Sequence, residues 1–321
     1  MLCTVEDVMA IPGMDNTPAR PIKWLNTLIG AADAHIKSWC KQELELAAYT
    51  EYYNGTGNQD FVVLQLPVLV GQTTFAAAMD GLTLPQATIT VASTVGFHPG
   101  LGGGTSDALR NHPPGFSIRT GQSTYAFVTY TGTTATTFTG CSGGTGTLSS
   151  TYNNVFSPVV WHDPSGYSGQ SPSAFAQATQ MVLGTNYAVQ MGGGATRRAS
   201  KRGLIQRIGG AAQGFIGFYP EHYHSGKLAG TRLPSWPRGN GNIKIAYSAG
   251  YATYTRELRE LGYCCAMLVA QMVRIQPSGT NLGSESMGNY SYSAQQVFES
   301  PEMGEMRAIL APYRESSWGN A

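Results

Sequence analysis

Residues 22–55 read IKWLNTLIGAADAHIKSWCKQELELAAYTEYYNG, and the spacing of apolar side chains changes partway along this stretch. Ile22, Leu25, Leu28, Ile29, Ala32, Ile36, Trp39, Cys40 and Leu44 recur at three- and four-residue steps, the period of one helix face. Asn26, Asp33, Lys37, Lys41 and Glu45 fall on the opposite face, so an amphipathic helix is predicted over 21–46. From Tyr49 the period becomes two. Tyr49-Thr-Glu-Tyr-Tyr53, the turn Asn54-Gly55-Thr-Gly57 and Asp60-Phe-Val-Val-Leu-Gln-Leu66 then read as a β-hairpin closed by Pro67.

Working outward, Thr4-Val-Glu-Asp7 has the form of a helix-opening capping box with Asp at the third helical position, and Pro12-Gly13 ends that short helix. At the far end, Leu258, Leu261, Cys265, Leu268, Val269, Met272 and Ile275 mark a second amphipathic helix over 254–275, stopped by Pro277. Each long helix is too one-sided to stand alone, and each supplies the other's simplest partner. Leu25, Ile29, Ile36 and Trp39 would meet Leu258, Leu261, Cys265 and Leu268. The expected fold class is therefore α+β: an antiparallel helical core of N- and C-terminal long helices carrying a large β-rich insertion of sandwich or barrel type. The expected organisation is a helical core with an extended C-terminal tail (1–53 and 251–321) and a β-rich domain (54–250).

Within that insertion, residues 82–155 read as a small all-β module. Twelve Thr lie between 120 and 151, and Thr favours strands while the intervening Gly clusters supply turns. Thr88–Val91, Phe116–Arg119 and Tyr125–Tyr130 are its clearest strands. Beyond it, Leu204–Ile208, Phe215–Tyr219 and Asn242–Tyr247 read as further strands, and a short helix is expected over 301–311.

Length and composition exclude several classes. The 321 residues suffice for about two domains without disulfide or metal staples. A 10% aromatic content does not suit a disordered chain, and the 40 Gly follow no period of three, which excludes collagen. No run of apolar residues is long enough to span a bilayer, so no membrane is expected as a partner. Glu6 and Asp7 stand where a secretory leader would be basic, so none is expected. The five Cys (3, 40, 141, 264 and 265) show no CxxC and no zinc spacing, so reduced thiols are expected and neither metal nor cofactor.

The net charge of +1 conceals an uneven distribution: residues 1–60 carry −4, residues 61–160 carry two charges of each sign, and residues 161–250 carry +7. So few charges over a hundred residues suit a surface covered by neighbours or kept soluble by Thr, Ser and Gln. Arg197, Arg198, Lys201 and Arg202 could meet nucleic acid or an acidic partner, although no DNA-binding motif accompanies them. Glu221-His-Tyr-His224 offers metal-ligand types but lacks a further ligand at metal spacing. Trp161-His-Asp163 supplies two members of a catalytic triad with no GxSxG nucleophile. The Gly clusters at 100–104 and 140–146 match no phosphate-loop template. No enzyme is expected, and no catalytic residues are assigned.

Several of these strings resemble the head–tail connector (adaptor or head completion) proteins of tailed bacteriophages. The N-terminal pair Thr4-Val-Glu-Asp-Val8 and Leu25–Asp33 is similar to that family's short capped helix followed by a longer one. Tyr49-Thr-Glu-Tyr-Tyr-Asn-Gly55 resembles its "tEyydG" hairpin, and Asn242-Ile-Lys-Ile-Ala-Tyr-Ser-Ala-Gly250 its "vtYtaGy" strand before a final helix. Met287-Gly-Asn-Tyr-Ser-Tyr292 is similar to its C-terminal segment, and Asp163 with Tyr167-Ser-Gly-Gln170 to a loop of larger members. The 82–155 module is a departure from the small members.

The resemblance implies a structural virion protein of the neck, between head and tail, assembled in the host cytoplasm. It would form a homo-oligomeric ring of about twelve copies docked beneath the portal protein and above the next neck or tail-completion protein. Genomic DNA would pass through the channel, flanked by the helices, without sequence-specific binding. Tyr290, Tyr292, Tyr313 and Trp318 in the tail would dock on a neighbouring ring. Two other readings compete: a tail or baseplate β-rich protein whose Tyr and Trp stack on host glycans, and a hydrolase using His162 and Asp163.

Overall fold

The structure, a computed structural model, describes residues 1–14, 22–100, 112–163, 175–190, 199–200, 203–209, 234–251, 255–275 and 297–314. Two compact units emerge. Unit 1 combines Met1–Leu46 with Gly250–Ala321, and unit 2 is Ala47–Ala249.

The expected fold class is corrected: the chain is mostly antiparallel β-sheet, with seventeen strands in five sheets among the described residues against a few helices. The helices are α1 (Val5–Met9), α2 (Ile22–Cys40), α3 (Arg256–Ile275) and α4 (Gly304–Leu310). A helical core carrying an insertion is not the plan of the chain, and the β part is neither one sandwich nor one barrel. The reason is the unequal loudness of the two signals. An amphipathic helix announces itself within one window of sequence, whereas strands of two to five residues draw their stability from partners far along the chain.

Unit 1 has its own apolar cluster. It gathers Val8 of α1, Leu25, Leu28, Ile29, Ala32 and Ile36 of α2, Leu261, Cys265, Leu268 and Met272 of α3, and Phe298, Met306 and Leu310 near the C-terminus. The Thr4 side chain accepts from Asp7 N–H while Asp7 accepts from Thr4 N–H, so the capping box is formed with Asp in place of Glu. Helix α2 stops six residues short of the predicted 46, because Lys41 turns left-handed at φ 58°. Lys41 N–H then donates to Ser38 C=O and Gln42 N–H to Lys37 C=O, the paired bonds of a Schellman stop that glycine usually supplies.

Unit 2 opens with β1 (Ala47–Gly55), β2 (Asp60–Val62), β3 (Val68–Leu69) and β4 (Gly71–Thr74). The short strands β5 (Thr83–Leu84), β6 (Thr88–Thr90), β7 (Gly115–Arg119), β8 (Tyr125–Thr129), β9 (Gly132–Thr133), β10 (Thr137–Thr139) and β11 (Gly146–Thr147) follow. The unit ends with β12 (Asn154–Ser157), β13 (Val159–His162), β14 (Tyr187–Val189), β15 (Ala199–Ser200), β16 (Leu204–Arg207) and β17 (Gly239–Ala249).

The hairpin expected from Tyr49 to Leu66 does not form. Strand β1 pairs antiparallel with β17, from Ala47↔Ala249 to Tyr53↔Ile243, and β2 pairs with β16. The alternating pattern identified strands but carried no information about partners. The turn is claimed instead by Trp236, whose C=O accepts from Gly57 N–H while its N–H donates to Asn58 C=O. Strand β17 organises its sheet, pairing also with β13 and β3.

The incoming and outgoing strands of the Thr-rich module, β4 and β12, pair with one another from Gly71↔Ser157 to Thr74↔Asn154. Between them lies a separate aromatic core of Phe75, Phe97, Phe116, Tyr130 and Phe138 with Ile89, Ile118, Val128 and Val155. The Phe116 and Phe138 ring centroids are 4.5 Å apart. The aromatic content of the module is thus spent on its interior.

Candidate functional site

The two strings that carry the family resemblance at opposite ends of the chain meet in the β1–β17 ladder. Tyr49 stands opposite Tyr247, and their rings are 5.5 Å apart. Tyr247 Oη donates to Glu51 Oε2 at 2.8 Å, and Tyr53 Oη donates to the same oxygen. The two hydroxyls in turn accept backbone N–H groups from the next segment, Leu64 to Tyr53 at 3.0 Å and Gln65 to Tyr247 at 3.2 Å. Burial, reinforced by the adjacent Glu51 charge, pushes both phenols well above their ordinary range, so they remain protonated donors. The result is a carboxylate held between two phenols, bracing three stretches of chain.

A second lock closes the end of the ladder. Asn242, fully buried, accepts from Gly55 N–H at 2.7 Å and donates through Nδ2 to Pro237 C=O at 2.9 Å. Asn54 Oδ1 accepts from Gly241 N–H at 2.6 Å. A Cβ on Gly55 would lie 1.8 Å from the Pro237 carbonyl oxygen, so this position admits only glycine.

Unit 1 holds a charged cluster near the end of α2. Lys37 Nζ lies 3.0 Å from Asp33, 3.6 Å from Glu43 and 2.7 Å from Glu45. Burial works against the Lys37 ammonium, but the Glu45 hydrogen bond and the Asp33 charge outweigh it and raise its pKa. Burial likewise works against the Glu45 carboxylate, and the Lys37 hydrogen bond overcomes it and lowers that pKa. Sequence reasoning assigned Asp33, Lys37 and Glu45 to a polar helix face, whereas Glu45 lies beyond the helix end and the group is largely enclosed.

The residues expected to form a subunit core divide simply. Leu25, Ile29, Ile36, Leu261, Cys265 and Leu268 are buried, and Trp39 and Leu258 pack partly buried against the same cluster. Of the residues expected to dock on a partner, Tyr313 is instead committed within unit 1. It is 7% exposed, donates to Glu260 Oε2 at 2.9 Å, and accepts through its backbone C=O from Gln42. Tyr290, Tyr292 and Trp318 lie outside the described residues. So do Arg197, Arg198, Lys201 and Arg202, the histidines 222 and 224, and the strand expected at 215–219.

His162 ends β13 and is half-buried beside Asp163. Burial and the Arg207 charge lower its pKa against the pull of Asp163. Its Nε2 meets no hydrogen-bond partner among the described residues. Lys244 faces the Trp161 ring at 4.8 Å and the Phe175 ring at 6.0 Å, and burial lowers its pKa. Among the described residues no three His, Cys, Asp or Glu gather as metal ligands, and no helix is long and apolar enough to cross a membrane.

Sequence reasoning passed over Glu51, Tyr53, Tyr247 and Asn242 as functional positions. Their only sequence signal was membership of the two resembling strings. Chemically, the arrangement holds strands in register. Comparison with known protein families, characterised proteins and solved structures gives no match.

Proposed function

We propose that this chain is a structural subunit of the head–tail connector of a tailed bacteriophage, repeated as a ring between the portal and the next neck or tail component. The observation that carries the reading is the Tyr247–Glu51 hydrogen bond. It joins the two resembling strings at the Glu of one and the Tyr of the other, and the glycines that end those strings, Gly55 and Gly250, both lack room for a Cβ. Positions on which the resemblance rests are therefore under close structural demands.

Two further features support it. Among the described residues of the 71–157 module, the charged side chains are Asp80 and Arg119, which suits a subunit flanked by neighbours. The described tryptophans are also poorly placed for sugar stacking: Trp24, Trp161 and Trp236 are buried and Trp39 is partly covered. That favours the connector over the glycan-binding alternative. DNA passes such a ring without being read, and no chemical step is required of the protein.

The test is stoichiometry in purified particles, measured by quantitative mass spectrometry against the portal protein. A connector ring gives about one copy per portal subunit. A small fraction of that ratio, as a tail-tip protein would give, or absence from particles, overturns the reading.

A further inference from the structure

Two cysteines separated by 262 positions meet inside unit 1. Cys3 Sγ and Cys265 Sγ are 3.0 Å apart, with Cys3 3% exposed and Cys265 fully buried. A disulfide bond is about 2.05 Å long, so the sulfurs need to close by about 1 Å. We propose that Cys3 and Cys265 are an oxidisable pair, and that a disulfide between them fastens the N-terminal segment covalently to α3.

The backbone around Cys3 is fixed on two sides before any bond forms. Leu2 N–H donates to Asp33 Oδ1 of α2 at 2.8 Å. On the other side, Leu2 C=O lies so close to α3 that a Cβ on Gly262 would sit 2.8 Å from its oxygen. Gly262 is three positions before Cys265, about one helical turn, so the same close approach that needs a glycine brings Cys3 beside Cys265. Immediately after Cys3, the Thr4–Asp7 capping box sets the direction of the chain. What bond formation asks of a pair held this way is to close the remaining gap of about 1 Å between the sulfurs.

The pairing is also selective. Cys264 is the neighbour of Cys265 on α3, and successive residues of a helix point about 100° apart, so only one of them faces Cys3. Cys40 and Cys264 are buried with raised thiol pKa values, but so is Cys265, so it is the 3.0 Å approach of Cys3 and Cys265 that singles out this pair. Cys141 belongs to unit 2.

The chemistry balances with a low-molecular-weight disulfide such as oxidised glutathione as oxidant. The thiolate of Cys3 attacks one sulfur of the oxidant, forming a mixed disulfide and releasing one glutathione thiol. The thiolate of Cys265 attacks the Cys3 sulfur of that mixed disulfide and releases the second. Both protein thiols lose a proton and together two electrons, and the oxidant is reduced to two thiols. Cys3 is the first to react because it lies beside the exposed Thr4 and two positions from the chain's first residue, so a short opening of the segment reaches it, whereas Cys265 sits within α3. The closed loop spans residues 3 to 265 and so encloses the whole of unit 2, which restricts the unfolded chain strongly.

The experiment treats the purified, folded full chain with oxidised glutathione, blocks remaining thiols, and maps disulfide-linked peptides by mass spectrometry. A Cys3–Cys265 peptide and a fall from five free thiols to three are expected. The oxidised protein is expected to melt about 5 °C or more above the reduced one. Cys3→Ser and Cys265→Ser should each abolish that redox dependence, and Cys141→Ser should retain it. Five free thiols after exhaustive oxidation, or linkage through Cys40, Cys141 or Cys264 instead, overturns the proposal. The wild-type peptide map decides the matter even where a serine variant folds poorly.

Discussion

Tyr247 donates a 2.8 Å hydrogen bond to Glu51, a residue 196 positions earlier in the chain and on the neighbouring strand. The bond is charge-assisted and shielded, and the Tyr53 hydroxyl shares its acceptor. It converts two separate local patterns into one ladder.

Removing the Tyr247 hydroxyl tests that role. Tyr247→Phe keeps the ring against Tyr49 but leaves Glu51 with one phenol and removes the hydroxyl that accepts from Gln65 N–H. The variant should lose about 1–3 kcal/mol of stability, read from denaturant unfolding. Tyr52→Phe, at an exposed position of the partner strand β1, should change little.

Two glycines give opposite signs. Gly55→Ala places a methyl group against the Pro237 carbonyl, and it should destabilise unit 2 enough to lower soluble yield. Gly30 lies within α2 with nothing within 4 Å of an added Cβ, so Gly30→Ala should stabilise by about 1 kcal/mol. Thermal melts of both variants check the pair, and a stabilised Gly55→Ala would contradict the packing described.

The Lys37 cluster sets a pH window. The folded-state pKa of Glu45 lies below its unfolded value, so its contribution is present above about pH 4.3 and is lost as pH falls through the depressed value. Lys37 is raised, so its contribution is present below about pH 10.4 and is lost as pH rises through the raised value. Glu45→Gln should be less stable than wild type at neutral pH and should approach it below pH 4. Stability followed by circular dichroism against pH checks this, and a constant gap between the two proteins at all pH values would contradict it.

Legibility in the sequence followed range. The Thr4–Asp7 box and the apolar faces of α2 and α3 were readable because their partners lie within one or two turns. Their weight in the fold was overestimated, since most of the described strands are two to five residues long and the central β1–β17 pair joins segments about 190 positions apart. The end of α2 was hidden because a lysine, not a glycine, takes the left-handed position. The 49–66 hairpin was misassigned because alternation fixes which side of a strand is buried and not which strand lies beside it. Glu51 and Tyr247 were invisible as partners for the same reason, and Tyr313 was assigned to a docking tail because its contacts with Gln42 and Glu260 lie 271 and 53 positions away.

Position in the particle tests the connector reading most directly. Gold-labelled electron microscopy with an antibody against this chain, on intact and on disrupted particles, should place label at the junction of head and tail. Label at the distal tail tip, or none on disrupted particles, would contradict it.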